Sequence, residues 1–192
     1  MALSETVVAN MALARLGAKR LNDLTNDQSV EAIQARMFYG QTRDALLRSH
    51  SWGFAIKREI LSEDTTTPVF EWDHAYLLPS DCLRAVSLYD TSASYAIEGE
   101  RLLTNDDEAN LIYIRKVTDP TEFDSLFVEV LVLKLSLELC MPLKNDQALR
   151  QSIWQELAMA TSRARLINLR ETNTRNPGIT WNESRRINVG ST

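Results

Sequence analysis

The stretch that most limits how this chain can fold is DSLFVEVLVLKLSLELCMP, residues 124–142. Phe127, Val130, Leu131, Leu133, Leu135, Leu137 and Leu139 recur at helical spacing, yet they cover more than one side of the helix. A helix apolar nearly all round must be covered from several directions at once, so it belongs inside a helical bundle. Asp124 or Ser125 supplies a start signal, and Pro142 predicts the stop.

Around that helix the pattern predicts three more. Ser4 caps a first helix carrying Val7, Val8, Met11, Leu13, Ala14 and Leu16, which ends at Gly17. A loop with Asn26 or Asp27 as cap precedes a second helix over 28–49, with Val30, Ile33, Met37, Phe38, Ala45 and Leu46 marking its apolar face. A fourth runs over 146–170 with Leu149, Ile153, Leu157, Ala160, Ala164 and Ile167 on one stripe. Between the second and third helices lie short aromatic and aliphatic runs separated by Pro, Ser, Thr, Asn and Asp clusters. These predict about five strands in a mostly antiparallel sheet.

The expected fold is therefore α+β: a four-helix bundle with an inserted, mostly antiparallel β-rich domain and an extended C-terminal arm. Residues 1–52 and 120–171 form the discontinuous bundle, 53–119 the insert and 172–192 the arm.

Composition bounds function. The apolar fraction of 44% and charged fraction of 24% are those of an ordinary globular protein, and no apolar run reaches the roughly 20 residues that span a bilayer. Cys82 and Cys140 lie far apart with no metal-ligand spacing, which fits a reducing compartment, and the N-terminus lacks the basic start of a signal peptide. A net charge of −5 argues against a general nucleic-acid binder. The average hides a split: from Thr161 to Thr192 six arginines face two acids.

Candidate chemistry is sparse. His50 sits between Ser49 and Ser51, but adjacent residues on an extended segment point in different directions and build no triad. His74 has Glu71 and Asp73 nearby but no further His or Cys ligands, and the glycines are too scattered for a phosphate loop. No catalytic residue, cofactor or metal is expected. His50, Trp52 and Phe54 instead predict the joint where the bundle passes into the sheet. In the arm, Trp181, Ile187 and Val189 with Arg185 and Arg186 are apolar and basic anchors. They suit docking into another chain's groove, or folding back onto the parent helices.

Three segments carry a family resemblance. ALARLGAKRLNDLTNDQSVEAIQARMFYGQTRDALLRSHSWGFAIKR resembles the opening of the tail tubular protein A family, the head-to-tail adaptors of short-tailed bacteriophages. Trp52, Phe54 and Ala55 match its Trp-x-Phe-Ala signature. FEWDHAYLLPSDCLRA and YAIEGERLLTNDDEANLIYIRKVTDPTEFDSLF resemble two further hallmarks, so the similarity covers roughly residues 3–160. The resemblance implies a structural virion protein rather than an enzyme. It implies a ring of twelve copies bound to the portal protein through the helices and arm, and to the tail nozzle protein through the strand-rich part. Genomic DNA would pass through the lumen without sequence-specific binding, and no membrane is involved. Such a protein is made in the host cytoplasm and resides in the virion tail.

On that reading Glu98, Glu100, Asp106, Asp107 and Glu108 are expected to face the lumen or the nozzle. The alternatives are another neck protein (a head-completion or stopper subunit), which would lack so long a sheet, and a DNA-binding regulator using the arginine-rich tail.

Overall fold

The computed structural model describes residues 2–90 and 92–172. The expected arm, 172–192, with Trp181, Arg185, Arg186, Ile187 and Val189, lies outside the described residues apart from Thr172, which ends the last helix.

Four α-helices occur among the described residues: α1 (Glu5–Arg15), α2 (Val30–Ser49), α3 (Ser125–Lys144) and α4 (Gln147–Thr172). Local signals place their starts. The Ser4 hydroxyl accepts from the Val7 amide at 3.3 Å. Ser29, rather than Asn26 or Asp27, caps α2, accepting from the Ala32 amide, while Asp27 accepts from the Ser29 amide at 2.8 Å and shapes the turn before it. Asp124 accepts from Leu126 and Phe127 to open α3.

Pro142 does not end α3. The helix runs through it to Lys144 and closes on Asn145 in the left-handed conformation (φ 49°), whose amide bonds the Cys140 and Met141 carbonyls. A proline so near the end forfeits one hydrogen bond without interrupting a long helix, so the stop falls to the left-handed cap.

The strands β1 (Ile56–Ile60), β2 (His74–Leu77), β3 (Cys82–Leu88), β4 (Tyr95–Glu98), β5 (Arg101–Thr104) and β6 (Asn110–Arg115) form two antiparallel sheets. Sheet 1 has the order β1-β6-β3 and sheet 2 the order β2-β5-β4. The β4–β5 hairpin closes through Gly99, whose φ of 59° suits a residue without Cβ.

The expected four-helix bundle with an inserted β-rich domain is overturned. The protein is α+β, with four helices and two small three-stranded antiparallel sheets. The helices do not form a bundle of equals: α3 lies at the hub with α4, α2 and α1 packed on it, while α1 and α2 touch only sparingly. Nor does the β region pack only on a core of its own. Ala55, Ile114 and Val117 belong to the same buried cluster as Leu13, Leu47, Leu131 and Leu135. Helices on three sides and the end of a sheet together cover α3, which resolves how its all-round apolar surface is buried.

The second cluster lies between the sheets and joins Leu61, Tyr76, Leu88, Leu102, Ala109, Leu111 and Tyr113. Strand β6 explains the link. Successive side chains leave a strand on opposite faces, so Leu111 and Tyr113 enter the inter-sheet core while Ile114 enters the helical one. Tyr113 keeps its hydroxyl paired despite burial, bonding Asp81 at 2.9 Å and Glu59 at 3.0 Å, with the Lys57 ammonium between the same carboxylates.

Helix α2 presents a different face from the expected one. Ala32, Ala35, Tyr39 and Leu47 are buried beside the expected Leu46, and the expected Phe38 packs partly on the core, whereas Val30, Ile33 and Met37 are exposed. Alanines let α2 approach the leucine-rich α3 closely, and that contact outweighs burying the larger side chains. Arg43, also turned inward, is satisfied by Asp44 (2.8 Å) and by Glu5 of α1 (3.4 Å). Among the described residues no helix is long and apolar enough to cross a membrane.

Candidate functional site

The joint at His50, Trp52 and Phe54 is where α2, sheet 1 and α4 meet. His50 adopts an extended conformation (φ −151°) and ends α2. Trp52 is buried, donates its indole N–H to the Leu46 carbonyl at 3.0 Å, and stands edge-on to Phe127 at 5.2 Å. Phe54 meets Phe127 at 5.0 Å and Phe123 at 6.0 Å. Four aromatic rings from the two ends of the β region therefore share one cluster at the head of α3. Edge-on contacts of this kind add about 0.5–1.5 kcal/mol each beyond area burial.

Sequence reasoning missed the residue that holds the joint shut. Asn168, on α4, donates through Nδ2 to the Ser51 carbonyl (2.8 Å) and to His50 Nε2 (3.0 Å), and accepts the Gly53 amide on Oδ1 (2.8 Å). Accepting on Nε2 fixes the neutral imidazole with its proton on Nδ1. Burial, and then the positive charges of Arg165 and Arg84, hold His50 below the usual histidine range, in agreement with that tautomer. An asparagine in a polar helix stretch carries no sequence mark of such a role.

The serines beside His50 are engaged elsewhere. Ser49 donates to the Leu46 carbonyl at 2.8 Å, and Ser51 accepts from Arg84 at 2.9 Å. Arg48 donates to the Leu83 carbonyl and so ties the end of α2 to β3. Neither hydroxyl is bonded to the imidazole, so the segment acts as a brace.

The five acids fall into two groups. Glu98 and Glu100 flank Gly99 in the β4–β5 hairpin, and both are exposed. Asp106, Asp107 and Glu108 lie past the other end of β5, a strand of four residues spanning roughly 13 Å at about 3.3 Å per residue. The second group is partly committed: the Asp106 carbonyl accepts from the Tyr76 hydroxyl at 3.0 Å, and an Asp107 oxygen lies 3.4 Å from His74 Nε2. His74 Nδ1 bonds Glu63 at 2.7 Å, and that hydrogen bond, with the surrounding carboxylates, lifts its pKa above the usual value. Among the described residues no group of three or more His, Cys, Asp or Glu side chains is placed to hold a metal ion.

No protein-family model matches this chain, and no curated protein matches it significantly.

Proposed function

We propose that the chain is a structural virion protein: an adaptor subunit that forms a ring between the portal and the tail nozzle of a short-tailed bacteriophage and lines part of the DNA ejection channel. The observation that carries this reading is how the three resembling segments meet. Trp52 and Phe54 of the first pack on Phe123 and Phe127 of the third. Asp81 of the second bonds Tyr113 of the third. Residues that belong to motifs far apart in sequence thus form the seams of one scaffold, which supports a role in architecture rather than turnover.

On this reading the helical end and the following residues, with Trp181, Arg185, Arg186, Ile187 and Val189, engage the portal. The strand-rich end engages the nozzle, and Glu98, Glu100, Asp106, Asp107 and Glu108 keep the channel wall or nozzle face negative. Such a wall offers DNA phosphates no cations to displace counterions, so the duplex is not held. The strands between Ile56 and Arg115 weigh against a stopper subunit without a sheet.

The test is sedimentation of the purified protein with and without the isolated portal. A ring-sized mass gain on the portal is expected, lost when residues after Arg175 are deleted while the far-ultraviolet circular dichroism persists. Attachment retained by the deletion overturns the role of the arm, and no attachment by the full chain overturns the adaptor. Salt-sensitive binding of duplex DNA by the subunit alone would favour the regulator instead.

A further inference from the structure

The face of sheet 1 that covers the helices runs on beyond them. Directly opposed residues share a face, so Ile56 with Ile114, Arg58 with Ile112, and Ile60 with Asn110 form one row. Ile56 and Ile114 lie against the helical core. Past it, Ile60 is 72% exposed and Tyr89, after β3, is 78% exposed. Together with Ile112, Asn110 and the backbone at Leu111 they wall a shallow depression of about 330 Å³, with Arg58 and Glu59 at its rim, the latter already paired with Lys57. Arg58 makes no ion pair with any described residue and is exposed.

A matching projection stands elsewhere on the same chain. The loop 66–72 lies along sheet 2, sharing a cleft with Ala75, Arg101 and Leu103, and leaves Val69 (93% exposed) and Phe70 (78% exposed) to solvent. After them Glu71 has a φ of 74°, a left-handed conformation uncommon in a non-glycine residue, which turns the chain back towards β2. Two exposed apolar side chains are thus followed directly in the chain by an exposed acid, Glu71. An apolar knob flanked by an acid fits an apolar depression rimmed by an unpaired arginine.

We propose that Val69 and Phe70 of one copy of this chain seat in the Ile60–Tyr89–Ile112 depression of the next, with Glu71 meeting Arg58 across the contact. Knob and depression are different surfaces of one molecule, so the contact is head-to-tail and propagates until rotation closes it. It rests on the ring reading above for its closure, but not for its existence. The desolvated anchor is Phe70, as aromatic side chains at the centre of small contacts dominate their energy.

The experiment is sedimentation velocity of the full chain, without portal, up to millimolar concentration. Wild type is expected to associate as concentration rises. Phe70→Asp (knob lost) and Tyr89→Asp (depression lost) each weaken association at least tenfold, and Ile60→Asp repeats the second result. Because all three side chains are exposed, each variant keeps the wild-type melting temperature. An equimolar mixture of Phe70→Asp and Tyr89→Asp restores association but stops at a dimer, since one intact knob meets one intact depression and the remaining pair is dead on both sides. A wild-type chain that stays monomeric, a mixture no better than either variant alone, or a loss caused by Phe70→Asp but not by Tyr89→Asp or Ile60→Asp each overturns it; the last would assign the knob to a different protein. Loss of portal binding with this pattern intact would sink the adaptor and leave the contact standing.

Discussion

Asn168, half-buried, and Tyr39, buried, show how differently polar side chains act. Asn168 has its amide in three hydrogen bonds that tie α4 to residues 50–53. Asn168→Ala leaves the Gly53 amide and Ser51 carbonyl to water, and a loss of about 0.5–1.5 kcal/mol is expected in urea unfolding. Tyr39 is the reverse. It is buried, and its hydroxyl has no partner among the described residues. Tyr39→Phe should therefore hold or raise stability, by about 1 kcal/mol at most. The two histidines oppose each other in pH. His50 has its pKa lowered on folding, so the unfolded chain takes up a proton first; the stability it gives above the unfolded value near 6.5 is lost as pH falls below it. His74 has its pKa raised, so its contribution is full below about 6.5 and disappears as pH climbs through the higher folded value. Melting curves from pH 5 to 8 should show His50→Gln flattening the acid side of the profile and His74→Gln the alkaline side. Unchanged profiles in both would refute the assignment. Both histidines stood out in the sequence as rarities, but not the signs of their shifts, which depend on the burial of His50 with Arg165 and Arg84 beside it, and on Glu63 reaching His74.

At the scale of elements, the existence of the helices was legible and the orientation of one was not. α4 buries Ile153, Ala160 and Ala164, the stripe its period foretold. α2 rotates instead to bury Ala32 and Ala35, leaving Val30, Ile33 and Met37 outside. A hydropathy pattern weights side chains by size and cannot see that α3 needs a close neighbour more than a bulky one. The register has a direct test. Ala35→Leu should overpack the α2–α3 contact and cost about 1–3 kcal/mol, while Met37→Lys should stay within about 0.5 kcal/mol of wild type. The opposite ranking would restore the face that the sequence suggested. The strands were legible as short aromatic runs, but their division into two sheets was not, because pairing partners such as Glu59 with Leu111 are far apart in the chain. Pro142 misled for a related reason: position within the helix decides what a proline does, and only the structure puts it three residues from the Asn145 cap.

At the scale of the whole molecule, the shared strand β6 makes the two cores interdependent. Leu102 is fully buried in the inter-sheet cluster, far from α3 in the fold. Leu102→Ala should cost about 2–5 kcal/mol. If β6 couples the layers, helical circular dichroism and tyrosine fluorescence of this variant will still melt in one coincident transition. Two separate transitions would mean that sheet 2 unfolds on its own and that the layers are independent. The expected bundle with an inserted β-rich domain misses that α3 and β6 share a core. Alternation along β6 contained the link, since Leu111, Tyr113 and Ile114 are all apolar, but nothing in the residue order said what would lie on each side.

The placement of β6 also bears on how the molecule would carry force. Its neighbours β1 and β3 grip it from both edges, and its hydrogen bonds run across the strand direction. A tug along the strand must shear both ladders together, whereas a tug at right angles peels them one bond at a time. Tension applied along β6 would therefore load two ladders at once, a resistance that neither edge strand could offer alone.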